Sequence, residues 1–274
     1  MLGGALLDLC PAGLQAVGVD LRDGDITVRE GAWAAIAPHA PAAVIHCAAY
    51  TDVDGCTQDP GTAFRVNATG TQNVARVAHE CGAYLIAIST DYVFDGEAGR
   101  PYVETDAPNP INPYGESKLR GEELAQEAHD RVLIARTQWL YGPGGRNFVR
   151  TIVTNGQELG ELRAVADEFG SPTYTRDFAR RVWELVQRQP TGVLHSTNSG
   201  ITTRAELART ALAAAGAGAV TVHEISAREW ESPTRRPRYS PLGSVRMGEL
   251  CLAPLRAWDE AVREYASEYL QRTG

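Results

Sequence analysis

The chain has 274 residues and is 43% apolar, enough to bury a full core in one large domain or in a major domain with a smaller lobe. Its 26 Lys and Arg against 34 Asp and Glu give a net charge of −8, which excludes a general binder of the nucleic-acid backbone and leaves an anionic ligand in need of a local cationic cluster. Five scattered cysteines without a C-x-x-C pair suggest neither a disulfide framework nor a zinc site, no apolar run nears the roughly 20 residues of a membrane span, and Met1-Leu2-Gly3-Gly4 lacks a secretory n-region. A protein of the reducing cytoplasm, with neither nucleic acid nor membrane as partner, is expected.

In chain order, Leu14 to Val19 reads as a strand, followed by further β-branched apolar runs at Ala42 to Cys47, Ala83 to Ser89 and Arg131 to Arg136. Between them, Gly61 to Cys81 carries Phe64, Val66, Val74, Val77 and Ala78 at helical spacing. Asn112 as N-cap and Pro113 at the first position predict a helix over Tyr114 to His129. After Tyr141-Gly142-Pro143-Gly144-Gly145 the strand rhythm weakens and prolines divide the rest, with helices expected over Thr203 to Ala215 and Trp258 to Leu270 and a loop over Ala217 to Thr221 leading into a strand. This alternation is the form of βαβ units. The expected fold is α/β: a Rossmann-like, doubly wound parallel sheet over 1–142 and a smaller C-terminal α/β substrate lobe over 143–274, of which about 171–188 returns to the first domain.

Tyr114 and Lys118 stand one helical turn apart on one face. A phenol with an ordinary pKa near 10 is a poor acid–base group at neutral pH unless a nearby cation stabilises its phenolate, and Lys118 can supply that cation. Tyr-x-x-x-Lys also occurs in many helices by chance; the context decides. Thr90 follows an apolar strand at the carboxyl end of the sheet, 24 residues before Tyr114, where ligands of open α/β folds bind. Its hydroxyl can donate to a carbonyl oxygen that becomes an alkoxide as hydride arrives. Without Tyr114 and Lys118, Thr90 would read as an ordinary turn cap.

Together Ser89-Thr90-Asp91-Tyr92-Val93-Phe94-Asp95-Gly96, Glu104-Thr105-Asp106 and Asn112-Pro113-Tyr114-Gly115-Glu116-Ser117-Lys118 resemble the dTDP-4-dehydrorhamnose reductase family, of the extended short-chain dehydrogenase/reductase class. Arg136 to Gly142, Asp167 to Thr173 and Arg235-Arg236-Pro237 with Ser240 and Leu242 continue the likeness in the family's order.

The resemblance implies Thr90, Tyr114 and Lys118 as the catalytic set, with Tyr114 the proton donor and Lys118 also bonding the nicotinamide ribose of NADPH or NADH. It places Val53, Asp91, Tyr92 and Trp139 beside the substrate, a dTDP-4-keto-6-deoxy sugar; Trp139 could equally be a core indole. Arg235 and Arg236 suit its pyrophosphate, or form a solvated basic patch. On the cofactor side, Ala48, Ala49 and Tyr50 resemble the shelf beside the dinucleotide, and Asp25 and Ile26 the adenine contact. Asp20 closes its strand where a carboxylate accepts from an adenosine ribose diol, a tilt toward NADH that Arg22 can offset. The analogy also implies a homodimer, in some members metal-linked, as through Mg2+, whose ligands the motifs do not locate.

The departure is at the start: the family opens with a strand and a glycine-rich turn, whereas Gly3 reads as the last glycine of that turn running into the first helix. A start codon assigned too far downstream and a truncation that weakens the enzyme are the two expectations. The function implied is reduction of dTDP-4-dehydrorhamnose to dTDP-L-rhamnose. The alternatives are a 4-ketoreductase for another dTDP-deoxysugar in secondary metabolism and a non-catalytic regulatory subunit with the reductase fold.

Overall fold

The computed structural model describes residues 1–270, the side chains of 269 and 270 excepted. Its first half runs α1 (Leu2–Asp8), α2 (Arg29–Ile36), β1 (Ala43–His46), α3 (Val53–Gln58), α4 (Pro60–Phe64), α5 (Thr71–Glu80), β2 (Tyr84–Thr90), α6 (Pro113–Ala128) and β3 (Val132–Thr137). Next come β4 (Leu140–Tyr141), α7 (Phe148–Leu159), β5 (Glu161–Val165), β6 (Phe169–Gly170), β7 (Thr173–Tyr174), α8 (Thr175–Arg188) and β8 (Gly192–His195). The chain closes with β9 (Asn198–Ser199), β10 (Thr202–Thr203), α9 (Arg204–Ala214), β11 (Thr221–Ile225), α10 (Arg246–Glu249), β12 (Leu255–Ala257) and α11 (Trp258–Tyr265).

The central sheet is parallel, in the order β1-β2-β3-β8, with Ala43 beside Tyr84, Leu85 beside Val132 and Leu133 beside Gly192. Parallel strands are covered on both faces, so their residues are apolar in both registers of the alternation. Tyr84, Ile86, Leu133, Ala135 and Leu194 pack with Leu2 and Leu6 of α1 and Phe178, Val182 and Leu185 of α8. Leu85, Ala87, Val132 and Ile134 face Ala32 and Ile36 of α2, Val74, Val77 and Ala78 of α5, and Ala125 of α6. Beyond the sheet, the parallel pair β5–β11 packs with α7 and α9, and Tyr141, Tyr174, Leu207, Trp258 and Val262 form a separate core.

Two expectations are corrected. Leu14 to Val19 is not a strand: among the described residues no strand pairs with it, and Leu14, Val17 and Val19 are each over 40% exposed. An alternating sequence becomes a strand only where a neighbour takes up its amides and carbonyls. The helical pattern over 61–81 is three pieces, α4, a wide π turn over 65–70 and α5. The wide turn brings Asn67 inward to bond the backbone of Tyr50, which a regular helix would not do. At the C-terminal end α11 gives way to a similar wide turn at Ala266–Leu270.

The sheet's two edges differ. On β8, Arg246 donates to the carbonyls of Thr191 and Val193 at 2.8 and 2.7 Å, and Glu104 accepts from the His195 amide at 3.0 Å. The outer side of β1 has no hydrogen-bond partner among the described residues. Among them also, no helix is long and apolar enough to cross a membrane.

Candidate active site

β2 delivers Ser89, Thr90 and Asp91 to the carboxyl edge of the sheet, and α6 lies across that edge. The helix begins where the Asn112 side chain accepts from the Gly115 amide at 2.9 Å, and the Asn112 amide group donates to the Arg235 carbonyl at 3.0 Å. It can lie this close because a Cβ on Gly115 would stand 2.1 Å from the Tyr92 carbonyl oxygen, and one on Gly121 2.2 Å from that of Asn67.

Tyr114 is thereby buried edge-on to Tyr92, ring centroids 5.3 Å apart, with its hydroxyl on the side of Thr90. Burial pushes the phenol well above its ordinary pKa, and the Thr90 contact pulls the other way. The Lys118 ammonium, expected at the phenol, donates instead to the Ile88 carbonyl of β2 at 2.8 Å. Burial draws it down to about 8, against the pull of Glu122. Of its three N–H groups one is used on Ile88, leaving donors for a diol such as a ribose.

Around this pair the polar groups are fixed. Thr90 donates to one Asp91 oxygen at 3.1 Å, while Gln138 and Ser240 donate to the other at 2.7 and 2.6 Å. Burial raises the Asp91 pKa and these bonds oppose it. Glu122 takes a bond from Ser89 and a buried ion pair from Arg136 at 2.6 Å. Beneath Lys118, His46 meets Thr71 at 3.0 Å; Thr71 spends its proton on the Asn67 carbonyl, so His46 donates through Nε2. Burial, then the Lys118 charge, hold His46 down at about 3 and therefore neutral.

Of the expected substrate groups, Val53 and Tyr50 pack with Tyr92 and Tyr114. Arg236 is half-buried, pairs with Asp54 at 3.3 Å and keeps its Nε unpartnered in the interior; Arg235 points outward, 71% exposed, to Glu97. Trp139 adopts φ 46° and packs its indole against Gly170, and the Arg204 guanidinium covers the ring at 3.5 Å from its centroid. One ring face is thus taken by a cation.

The expected cofactor groups are dispersed. Ala48 and Ala49 follow β1, and Tyr50 beyond them is clamped by Asn67, which accepts from its amide at 2.8 Å and donates to its carbonyl at 3.0 Å. Asp20 is exposed and accepts from the Arg22 amide; Asp25 accepts from the Thr27 amide, which lowers its pKa; Ile26 is anchored by Asn73 through its carbonyl. Gly3 lies in the first turn of α1 with open space around it. Among the described residues none of these four hydrogen-bonds to Thr90, Tyr114 or Lys118.

Arg204, Glu168, Gln138, Glu122 and Asn67 were not singled out as site residues by sequence. Burial lowers the Arg204 pKa, with Glu168 and Asp91 pulling the other way, and burial raises Glu168. These groups meet only in the fold, and no local spacing marks Arg204. For Mg2+, the three-ligand cluster found among the described residues contains two imidazoles, a donor set unlike the oxygen cage that ion takes.

The chain matches the family model described as RmlD substrate binding domain over residues 1–271. It is 36% identical over 271 residues to the spore coat polysaccharide biosynthesis protein SpsK of Bacillus subtilis (strain 168), covering 97% of this chain and 95% of that protein. It is 37% identical over 278 residues to a dTDP-4-dehydrorhamnose reductase of Streptomyces griseus, covering 98% and 90%. The crystal structure of dTDP-4-dehydrorhamnose reductase from Bacillus anthracis in complex with NADP superposes with a TM-score of 0.93 at 35% identity, over 98% of this chain and 95% of that one.

Proposed function

Since the chain belongs to the RmlD substrate binding domain family, we propose that it reduces the 4-keto group of a dTDP-4-keto-6-deoxy-L-sugar, dTDP-4-dehydrorhamnose to dTDP-L-rhamnose. The observation that carries this reading is the buried Tyr114 phenol facing Thr90 at the carboxyl end of β2, with the Lys118 ammonium held beneath. Residues 1–142 hold the dinucleotide and 143–274 chiefly the sugar nucleotide, with 171–188 packed back on the sheet. The five cysteines are free thiols, which suits a reducing cytoplasm.

Lys118, with Ala48, Ala49 and Tyr50, would hold the nicotinamide ribose, and Asp20, Asp25 and Ile26 the adenosine end. NADPH or NADH, when bound, supplies the hydride; the Bacillus anthracis relative was solved with NADP, and Asp20 beside Arg22 admits either. The chain's own residues do the rest. Thr90 and Tyr114 converge on one point, where the keto oxygen sits and gains negative charge. Tyr114 gives that oxygen its proton, and the hydroxyl of Thr90 turns from Asp91 to donate to it meanwhile. Until the ligand arrives, Asp91, locked by Gln138 and Ser240, holds Thr90 in place. Arg236, with its unpartnered Nε, supplies charge for the pyrophosphate.

The test is turnover of dTDP-4-keto-6-deoxy-L-mannose by the purified chain, followed as loss of reduced nicotinamide with each cofactor. Tyr114→Phe should lower kcat by about 10²- to 10⁴-fold with KM little changed. Undiminished turnover in that variant would refute the assigned proton donor.

A further inference from the structure

At the end of the sheet away from Thr90, α5, α6 and β3 bring together three side chains that the reaction does not use. His79 lies in the last turn of α5, His129 caps the end of α6, and Asp130 precedes β3. We propose that these three bind one divalent transition-metal ion, zinc foremost, as a staple between the two helices and the strand.

The geometry supports this in three ways. First, the ligand atoms lie at tetrahedral spacing. Bonds of about 2.0–2.1 Å at tetrahedral angles put two donors about 3.3–3.4 Å apart. The Nδ1 atoms of His79 and His129 are 3.3 Å apart, and His129 Nδ1 and Asp130 Oδ1 are 3.4 Å apart. The third side of the triangle, His79 Nδ1 to Asp130 Oδ1, is 3.9 Å, which a small turn of the exposed Asp130 closes.

Second, the buried member is already set as a ligand. The His129 side chain is only 2% exposed, and its Nε2 lies 2.8 Å from the Ala83 carbonyl oxygen, which can only accept. Nε2 therefore carries the proton, and the lone pair of neutral His129 is on Nδ1, aimed at His79 and Asp130. An imidazole whose far nitrogen is tied to a backbone carbonyl is the usual second-shell support of a metal-bound histidine. In the metal-free protein the gap is bridged by the proton that His79 Nδ1 donates. On binding, that proton moves to the solvent-facing Nε2 of His79, and the ion takes its place.

Third, the donor set selects the ion. Two imidazoles and one carboxylate suit zinc and its neighbours rather than Mg2+ or Ca2+, and solvent can fill the fourth position. The nearby cation does not intrude: the Arg131 guanidinium is held away by the Gly82 carbonyl at 2.9 Å and Gln189 at 2.8 Å.

The test is calorimetric titration of the full-length, metal-stripped protein with ZnCl2 at neutral pH, for the wild type, His79→Ala and Asp130→Asn. His129 is left intact because its Nε2 also satisfies the Ala83 carbonyl. The wild type should take up one zinc, with affinity at least about tenfold weaker in each variant. Zinc should raise the melting temperature of the wild type and not of His79→Ala, and reductase kinetics without metal should be the same in all three. Co2+ should give the intense visible bands of a tetrahedral site without a near-ultraviolet thiolate band. Equal zinc affinity in His79→Ala, or a thiolate band marking a cysteine such as Cys81 as ligand, would overturn the assignment.

Discussion

Tyr114 and Lys118 are tuned in opposite directions by one cause. Both are buried, so the neutral form is favoured in each: the phenol keeps its proton, and the ammonium is drawn down to about 8. Lys118 is a cation below that pH and neutral above it. Since kcat/KM reports the free enzyme, it should fall as pH rises through about 8, and Lys118→Arg, charged throughout, should show no such limb whatever its absolute rate. A second residue-scale prediction concerns Glu122, which neutralises Arg136 in the interior. Glu122→Leu leaves that guanidinium buried and unpaired and should cost about 3–5 kcal/mol of stability, read from urea unfolding. At this scale the sequence was legible where chemistry depends on spacing along one element, as for Tyr114 and Lys118, or on position at a strand end, as for Thr90. It was silent on Arg204 and Glu122, whose partners lie far off in the chain.

Among the elements, α6 carries the most: it presents Tyr114, encloses Lys118 and bears Glu122, and it can do so because its glycines let it touch other backbones. Gly121→Ala drives a methyl group into the Asn67 carbonyl. Overpacking of this kind should destabilise the protein by about 1–3 kcal/mol, seen as a lowered denaturation midpoint. The start of α6 was plain from Asn112-Pro113 because a cap and a first-turn proline act locally. Strand β2 was plain from its unbroken apolar run. Leu14 to Val19 was misread since alternation marks a sequence able to pair, not one that has a partner. The wide turn at 65–70 was not legible because it follows from Asn67 bonding Tyr50 and Ser117, contacts across 17 and 50 residues.

Across the whole molecule, the two halves are tied at Asp91. One carboxylate at the end of β2 accepts from Thr90, from Gln138 and from Ser240, and Gln138 in turn accepts from the Ser171 amide at 2.7 Å. Gln138→Leu removes a donor from a buried acid and an acceptor from a buried amide. It should cost about 1–3 kcal/mol and raise KM for the sugar nucleotide while leaving nicotinamide affinity in direct titration unchanged. Binding assays with each ligand separately would detect a loss of both, which is the contrary result.

The unequal edges of the sheet bear on how the protein behaves when crowded. Edges with free amides and carbonyls recruit strands from other chains. Here β8 is closed by Arg246 and Glu104, and among the described residues β1 is open. Two copies joined back to back at β1 would leave the central sheet with only its β8 borders outward. Growth through the central sheet would then end at a pair.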